Sequence, residues 1–351
     1  MYRKTITIAL LLFLSFNSFA QQDGANKKEE YYAKKKKMME TPPPFSLSEI
    51  EQANSSGNTM LINILPGLYY FQGNHNMGVY LVEDKFTLID TQEEDNMDRN
   101  LNLIKRINKK ASIKYLISTS NELKALKTVE DLKKDGVILI SQKLTEKNQQ
   151  KEKQGGESGF SGSFKPDFSF TEQLNLNIET KTIEIASISN EGNSLVYLPN
   201  ENVLFTGAIY THKKYPYLDY KNGVTLESIL RNISKIGDVV DKNTIIVPGK
   251  GTLANVLDLI NYQKVMTKIT KQLMTMIKNG NTLETVLAKK SITNNLDSRG
   301  FGDGSVTTEM FLTSLYEELT YQLGPVDTRS PEERAMERLK EMQKDKEKKN
   351  E

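Results

Sequence analysis

The sequence has no cysteine and only two histidines in its 351 residues. The missing cysteine excludes disulfides, thiolate metal ligands and lipid attachment through a cysteine. The shortage of histidine limits any imidazole-built site to His75 and His212. Long apolar runs are absent as well. The run at positions 6–16 falls short of the roughly 20 residues that a membrane-spanning helix needs. An excess of charge is missing too. With residues 1–20 set aside, which hold Arg3 and Lys4 and no acid, 45 basic residues face 45 acidic ones. That balance gives no general electrostatic case for nucleic acid. Gly302-Asp303-Gly304 lacks the Lys-Ser/Thr pair that follows a phosphate loop.

The ends of the chain differ from its middle. Residues 1–20 combine two early basic residues, a short apolar run and Ser18-Phe19-Ala20. This is the pattern of a secretory signal peptide cleaved after Ala20, and it implies a periplasmic or secreted protein. Residues 21–58 are polar, with four successive lysines at 34–37 and three prolines at 42–44, and read as a flexible tether. The lysines also fit an acidic surface or anionic lipid, although Glu29 and Glu30 stand beside them. Residues 149–165, rich in Gln, Lys, Gly and Ser, read as an exposed insertion in which Phe160 and Phe164, with Phe168 beyond, anchor a loop. Residues 325–351 form a charged C-terminal helix or tail. Ser330, Pro331 and Glu333 give it a helix start, and Met336, Leu339 and Met342 are its apolar positions.

Residues 59–324 carry the folded domain. The stretch ASIKYLISTSNELKALKTVE, residues 111–130, sets its character. Ile113, Tyr115 and Ile117 alternate with other residues as a strand does, and Leu123, Leu126, Val129 and Leu132 then recur at helical spacing. The small polar residues between them occupy the end of a strand, where α/β proteins often place chemistry. Around this stretch stand LPGLYYF (65–71), FTLIDTQ (86–92), GNSLVYLPNENVLFTGAIY (192–210) and TIIVPGKGTL (244–253). Strands are expected over 60–72, 77–82, 86–90, 137–141, 174–188, 194–197 and 203–206. Helices are expected over 96–108, 225–239, 252–279, 282–289 and 306–323.

These five motifs, in this order, resemble the metallo-β-lactamase-fold hydrolases across about residues 60–290. The resemblance implies an α/β fold, an αββα sandwich in one domain. It also implies where a zinc site would stand. The family's Thr-His-x-His-x-Asp-His reads here Thr119, Ser120, Glu122, Lys124 and Ala125 at the fixed positions. Its third histidine becomes Ser189, its bridging Asp after Gly207 becomes Ala208, and its last histidine, in Pro-Gly-His-Gly, becomes Lys250. All seven ligand positions are replaced. Two histidines cannot supply a five-histidine site under any alignment, and a protonated lysine has no lone pair for a metal.

The expectation is therefore a fold kept without its zinc: no cofactor, no catalytic residue of the family, and a vacated pocket of Ser120, Glu122, Lys124, Ala125, Ser189, Ala208 and Lys250. His75, Asp90, Tyr210, His212 and Tyr217 are expected at the cleft mouth. Asp90 matches the family's strand-end Asp and otherwise caps a turn. An exported, non-catalytic protein that binds a ligand or a protein partner at the cleft is the first reading. A metal-independent hydrolase using a Ser/Lys/Glu pocket is the alternative, alongside an unrecognised hydrolase of the superfamily. A scaffold role carried by the tails is the third. Lys250 is expected within salt-bridge reach of Glu122.

Overall fold

The computed structural model describes residues 59–120, 124–143, 165–188 and 192–324, with positions 336 and 340 beyond them. Residues 1–58, read from the sequence as a signal peptide and tether, and the stretch around Phe160 and Phe164 lie outside the described residues, as does the C-terminal tail apart from Met336 and Lys340. The strands are β1 (Met60–Leu65), β2 (Leu68–Gln72), β3 (Met77–Val82), β4 (Lys85–Ile89), β5 (Ser112–Ile117), β6 (Ile138–Gln142), β7 (Phe168–Phe170), β8 (Gln173–Ile178), β9 (Lys181–Ser187), β10 (Ser194–Leu198), β11 (Val203–Phe205) and β12 (Ile245–Val247). The helices are α1 (Glu94–Ile107), α2 (Leu126–Lys134), α3 (Leu226–Val239), α4 (Val256–Lys278), α5 (Leu283–Ala288), α6 (Asn294–Asp297) and α7 (Thr308–Leu323).

The strands form a seven-stranded sheet in the order β1 to β7 and a five-stranded sheet in the order β12-β11-β10-β9-β8. This is the mixed α/β class with two sheets that the motifs imply. The first four strands pair antiparallel; β4, β5, β6 and β7 pair parallel. Alternation along each strand sorts the side chains into two cores. In β2, Tyr69 and Phe71 join Leu88, Leu116 and Leu139 under α1 and α2, around Met97, Ile104 and Val129. Leu68 and Tyr70 point the other way. They join Ile117 and Ile140 against Ile183, Ile185, Val196 and Phe205 of the second sheet.

The expected strand over 60–72 is divided at Pro66-Gly67, where the chain reverses and β1 pairs with β2. Gly67 has φ +78°, and a Cβ there would lie 2.8 Å from the Leu81 carbonyl oxygen. Helix α1 starts at Glu94, two residues before its expected start, with Glu94 and Asp95 in its first turn, where carboxylates favour the helix dipole. Helix α4 starts at Val256, four residues after its expected start at 252, because Ala254 is drawn into a bridge with Ile246. Strand β7 is too short to show a period and was not legible.

The described residues divide into two compact units, one running to His212 with Ser234–Val256, the other holding Lys213–Ile233 and Leu257 onward. Both sheets belong to the first. In the second, Tyr215 stacks on Phe311 of α7 at 4.5 Å between ring centroids, and its hydroxyl donates to Asp297 at 2.8 Å. Thr308 Oγ1 donates to the same carboxylate at 2.6 Å. Glu318, 2% exposed, accepts the Leu226 amide that opens α3.

Gly78 in β3 shows how tightly the two sheets meet. A Cβ at this position would stand 2.5 Å from Phe205 Cε1 on the opposite sheet. Gly78→Ala is expected to lower unfolding free energy by about 1–3 kcal/mol. Adding Phe205→Leu should recover part of that, so the double variant loses less than the sum of the singles. Denaturant titration of the four proteins measures the coupling, and strict additivity would refute the contact.

Candidate functional site

Parallel pairing brings the C-terminal ends of β4, β5 and β6 to one edge of the first sheet, and those of β11 and β12 to one edge of the second. The Ser194 amide donates to the Thr119 carbonyl at 2.8 Å and joins the two edges. Thr119 in turn donates twice to Asp90, from its amide at 2.7 Å and from Oγ1 at 2.6 Å. Gly207 lies against Thr119 so closely that a Cβ there would fall 2.0 Å from Oγ1, and its φ is +51°. A Cβ on Gly249 would fall 2.2 Å from the Gly207 carbonyl oxygen. Asn76 fastens the Pro248-Gly249-Lys250-Gly251 turn. Its amide donates to the Gly249 carbonyl, and its Nδ2 to those of Pro248 and Gly251, all at 2.8 Å. The loops that carry Asp90, Ser120, Ala208 and Lys250 are thus held together by backbone contact and buried polar bonds.

Charge gathers on one side of this array. His75 Nδ1 lies 2.7 Å from Glu93 Oε1. The hydrogen bond from His75 holds the Glu93 carboxyl below its ordinary value, against its burial, with help from the Lys124 charge. Burial pushes Asp90 up to about 6; the two bonds from Thr119 and the charge of His75 oppose the rise. Asp90 also has φ +61°, a left-handed conformation that Asp and Asn tolerate better than other side chains. Gln92 steadies the loop, donating to the His75 carbonyl at 2.8 Å and receiving Asn100 Nδ2 at 2.8 Å. The edge thus sets an imidazole against one carboxylate and within electrostatic reach of a second, buried one.

Of the pocket residues named from the sequence, Glu122 and Ser189 lie outside the described residues, so the expected Lys250–Glu122 pair falls there too. Ser120 is 6% exposed, and its carbonyl accepts Ser118 Oγ at 2.6 Å. Lys124 is half-buried, its amide 3.3 Å from Thr91 Oγ1. Ala125 is fully buried in the core under α1 and α2, whereas Ala208 is exposed. Lys250 is half-buried, and its carbonyl accepts the His212 amide at 2.9 Å. Of the residues expected at the mouth, His75 and Asp90 meet electrostatically. Tyr210 and His212 are 1% and 7% exposed. Both therefore pack inside, the rings 6.1 Å apart, with His212 Nδ1 2.9 Å from the Thr252 carbonyl. Tyr217 is 59% exposed and belongs to the second unit. Sequence reasoning missed Glu93 and Asn76. The signal for Glu93 was an acid at a helix start, which ordinarily reads as dipole chemistry.

The described positions do not fit zinc. They offer a hydroxyl, two ammonium groups and two methyl groups where the metal needs nitrogen, sulfur or carboxylate donors. Among the described residues, no group of three or more His, Asp or Glu converges. A depression of about 600 Å³ lies in the second unit near Thr275, Asn279 and Lys289. It has no acid in its wall and no acid–base pair, so the edge around Asp90 is the stronger candidate.

No family model matches the chain, and no curated protein matches it. Solved structures do. A metallo-beta-lactamase from Pontibacter korlensis is 19% identical, with a TM-score of 0.48, 60% of this chain covered and 99% of the other. The DIM-1 metallo-beta-lactamase exposed to ceftazidime is 13% identical, with a TM-score of 0.48 and coverages of 60% and 97%. VMB-1 is 17% identical, with a TM-score of 0.47 and the same coverages. Likeness at this level assigns no activity to the chain.

The raised Asp90 carboxyl gives a pH signature. Its folded value of about 6 stands above the ordinary 3.8, so the folded state binds the extra proton between these values. Its contribution to stability is then complete below about pH 4 and is lost as pH rises through about 6, a change of about 3 kcal/mol. Asp90→Asn keeps an acceptor for the Thr119 amide and removes the charge. The variant should be at least as stable as the parent at pH 7.5, and the difference should vanish near pH 4. Thermal unfolding across that range measures it, and a variant uniformly less stable would contradict the burial of a charge.

Proposed function

We propose that this chain is an exported protein of the metallo-β-lactamase type of fold that works without a metal, binding a ligand or a protein partner at the edge around Asp90 without hydrolytic turnover. One observation carries the reading. The glycine-only contacts among Thr119, Gly207 and Gly249 keep the frame of a loop-edge site, while Ser120, Lys124, Ala125, Ala208 and Lys250 within it offer no metal-ligand set. Without a bound metal no group lowers the pKa of water to about 7, so metal-activated hydrolysis has no entry. The signal-peptide pattern of residues 1–20 supports export.

A second reading, a metal-independent hydrolase, is favoured by the His75–Glu93 pair. A carboxylate at 2.7 Å orients the imidazole, as the positioning of a general base requires. The nucleophile would be a serine, and Ser120 is the described candidate at this edge.

Purified mature protein should hold no stoichiometric zinc by elemental analysis. It should also leave ester, thioester, lactam and phosphoester substrates intact, with and without added zinc. One or more tightly held zinc ions per chain would overturn the metal-free reading. Zinc-independent turnover that is abolished by Ser120→Ala and by His75→Gln would replace the binding role with the serine-enzyme reading.

A further inference from the structure

Helix α4 carries a second, unrelated feature. At 3.6 residues per turn, Lys264, Lys268, Lys271 and Lys278 fall within a sector of about 80° on one face. All four are exposed. Leu257 and Ile260, 64% and 39% exposed, lie in the same sector at the start of the helix. The row runs about 30 Å from Leu257 to Lys278. The helix has a single acidic residue, Asp258, roughly 120° from the centre of that sector. Among the described residues no carboxylate pairs with any of the four lysines. The opposite face is already used: Leu259, Tyr262, Met266, Ile269 and Leu273 are buried in the core.

Two requirements follow for whatever covers this face. It must present negative charge along a straight path of about 30 Å, since four unpaired ammonium groups repel one another. It must also accept two aliphatic side chains, because Leu257 and Ile260 gain nothing from a charged surface alone. A convex helix face fits a broad surface better than a cleft. We propose that the α4 face docks on an anionic phospholipid bilayer. The lysines rest their ammonium groups among the headgroup phosphates, and Leu257 and Ile260 enter the acyl boundary. The long lysine stems suit such a boundary, since they lie along apolar material while the charge stays wet. No helix of the described residues is long and apolar enough to cross a membrane, so the attachment is peripheral. The proposal is independent of the loop-edge reading above.

The test uses the full mature chain and vesicle flotation. The vesicles are of phosphatidylcholine alone or mixed with one-third phosphatidylglycerol, at low and high salt. Binding is expected only to the anionic vesicles and should fall with salt. Each lysine near the surface contributes roughly fivefold in affinity, so the quadruple Lys→Gln variant should bind at least about a hundredfold more weakly. Leu257→Ser with Ile260→Ser should weaken vesicle binding and leave binding to soluble polyglutamate unchanged. Circular dichroism checks that both variants keep their helix. Absence of binding to anionic vesicles would overturn the proposal. So would equal binding by the quadruple variant, which would move the contact to lysines 34–37. Preference for polyglutamate with no effect of the Leu257 and Ile260 changes would give the face to an acidic protein partner instead.

Discussion

Thr119 makes a double donation to Asp90, and much of the first unit is arranged so that this pair survives. The Thr119 carbonyl is taken by the Ser194 amide of the second sheet, and the space against its hydroxyl is taken by Gly207. Gly207 in turn leaves no room for a side chain on Gly249, whose turn is tied down by Asn76. Each of these contacts is made by backbone or by a short polar group. None tolerates added volume, because close-packed interiors have no slack to absorb even a methyl group without moving their neighbours. The edge is therefore stiff where its chemistry would be, and the side chains that point away from the stack are the ones free to change.

That division separates the loop positions from the side chains they carry. A metal site makes two separate demands, a scaffold that fixes loop positions and donor atoms that face the ion. Here the scaffold is built from Thr, Gly, Asn and main chain, and the described positions that the sequence resemblance assigns to donors carry Ser, Lys and Ala. Negative charge is still present at the edge, in Asp90 and Glu93, and His75 lies electrostatically between them. An ionised carboxyl held at φ +61° and partly withdrawn from water is unfavourable on both counts, which is the kind of local cost that clusters at working sites.

Much of the fold was legible in the sequence, because alternation and helical spacing are local signals. Ile113, Tyr115 and Ile117 marked β5, and Leu259, Tyr262, Met266, Ile269 and Leu273 marked the buried face of α4. Element starts were less legible, since Ala254 was claimed by a bridge to Ile246 that lies outside the helix. The site was legible only as positions. Asn76 reaches a turn 172 residues away, and His75 finds Glu93 across 18. No periodicity encodes such meetings; they appear once the sheets have set the loops side by side. Tyr210 and Tyr217 were expected at the cleft mouth. Tyrosine suits both a wet boundary and a core, and burial decided for the core at Tyr210 and Tyr215.

The contrast between Ala125 and Ala208 bears on what each position can hold. Ala208 is exposed. Ala125 is sealed in the core under α1 and α2, with no surface left to water. A larger side chain there would have to displace the packed side chains of that core. The two positions thus differ in tolerance. A surface position absorbs substitution at little cost, while a sealed core position answers any added volume with displacement of its neighbours.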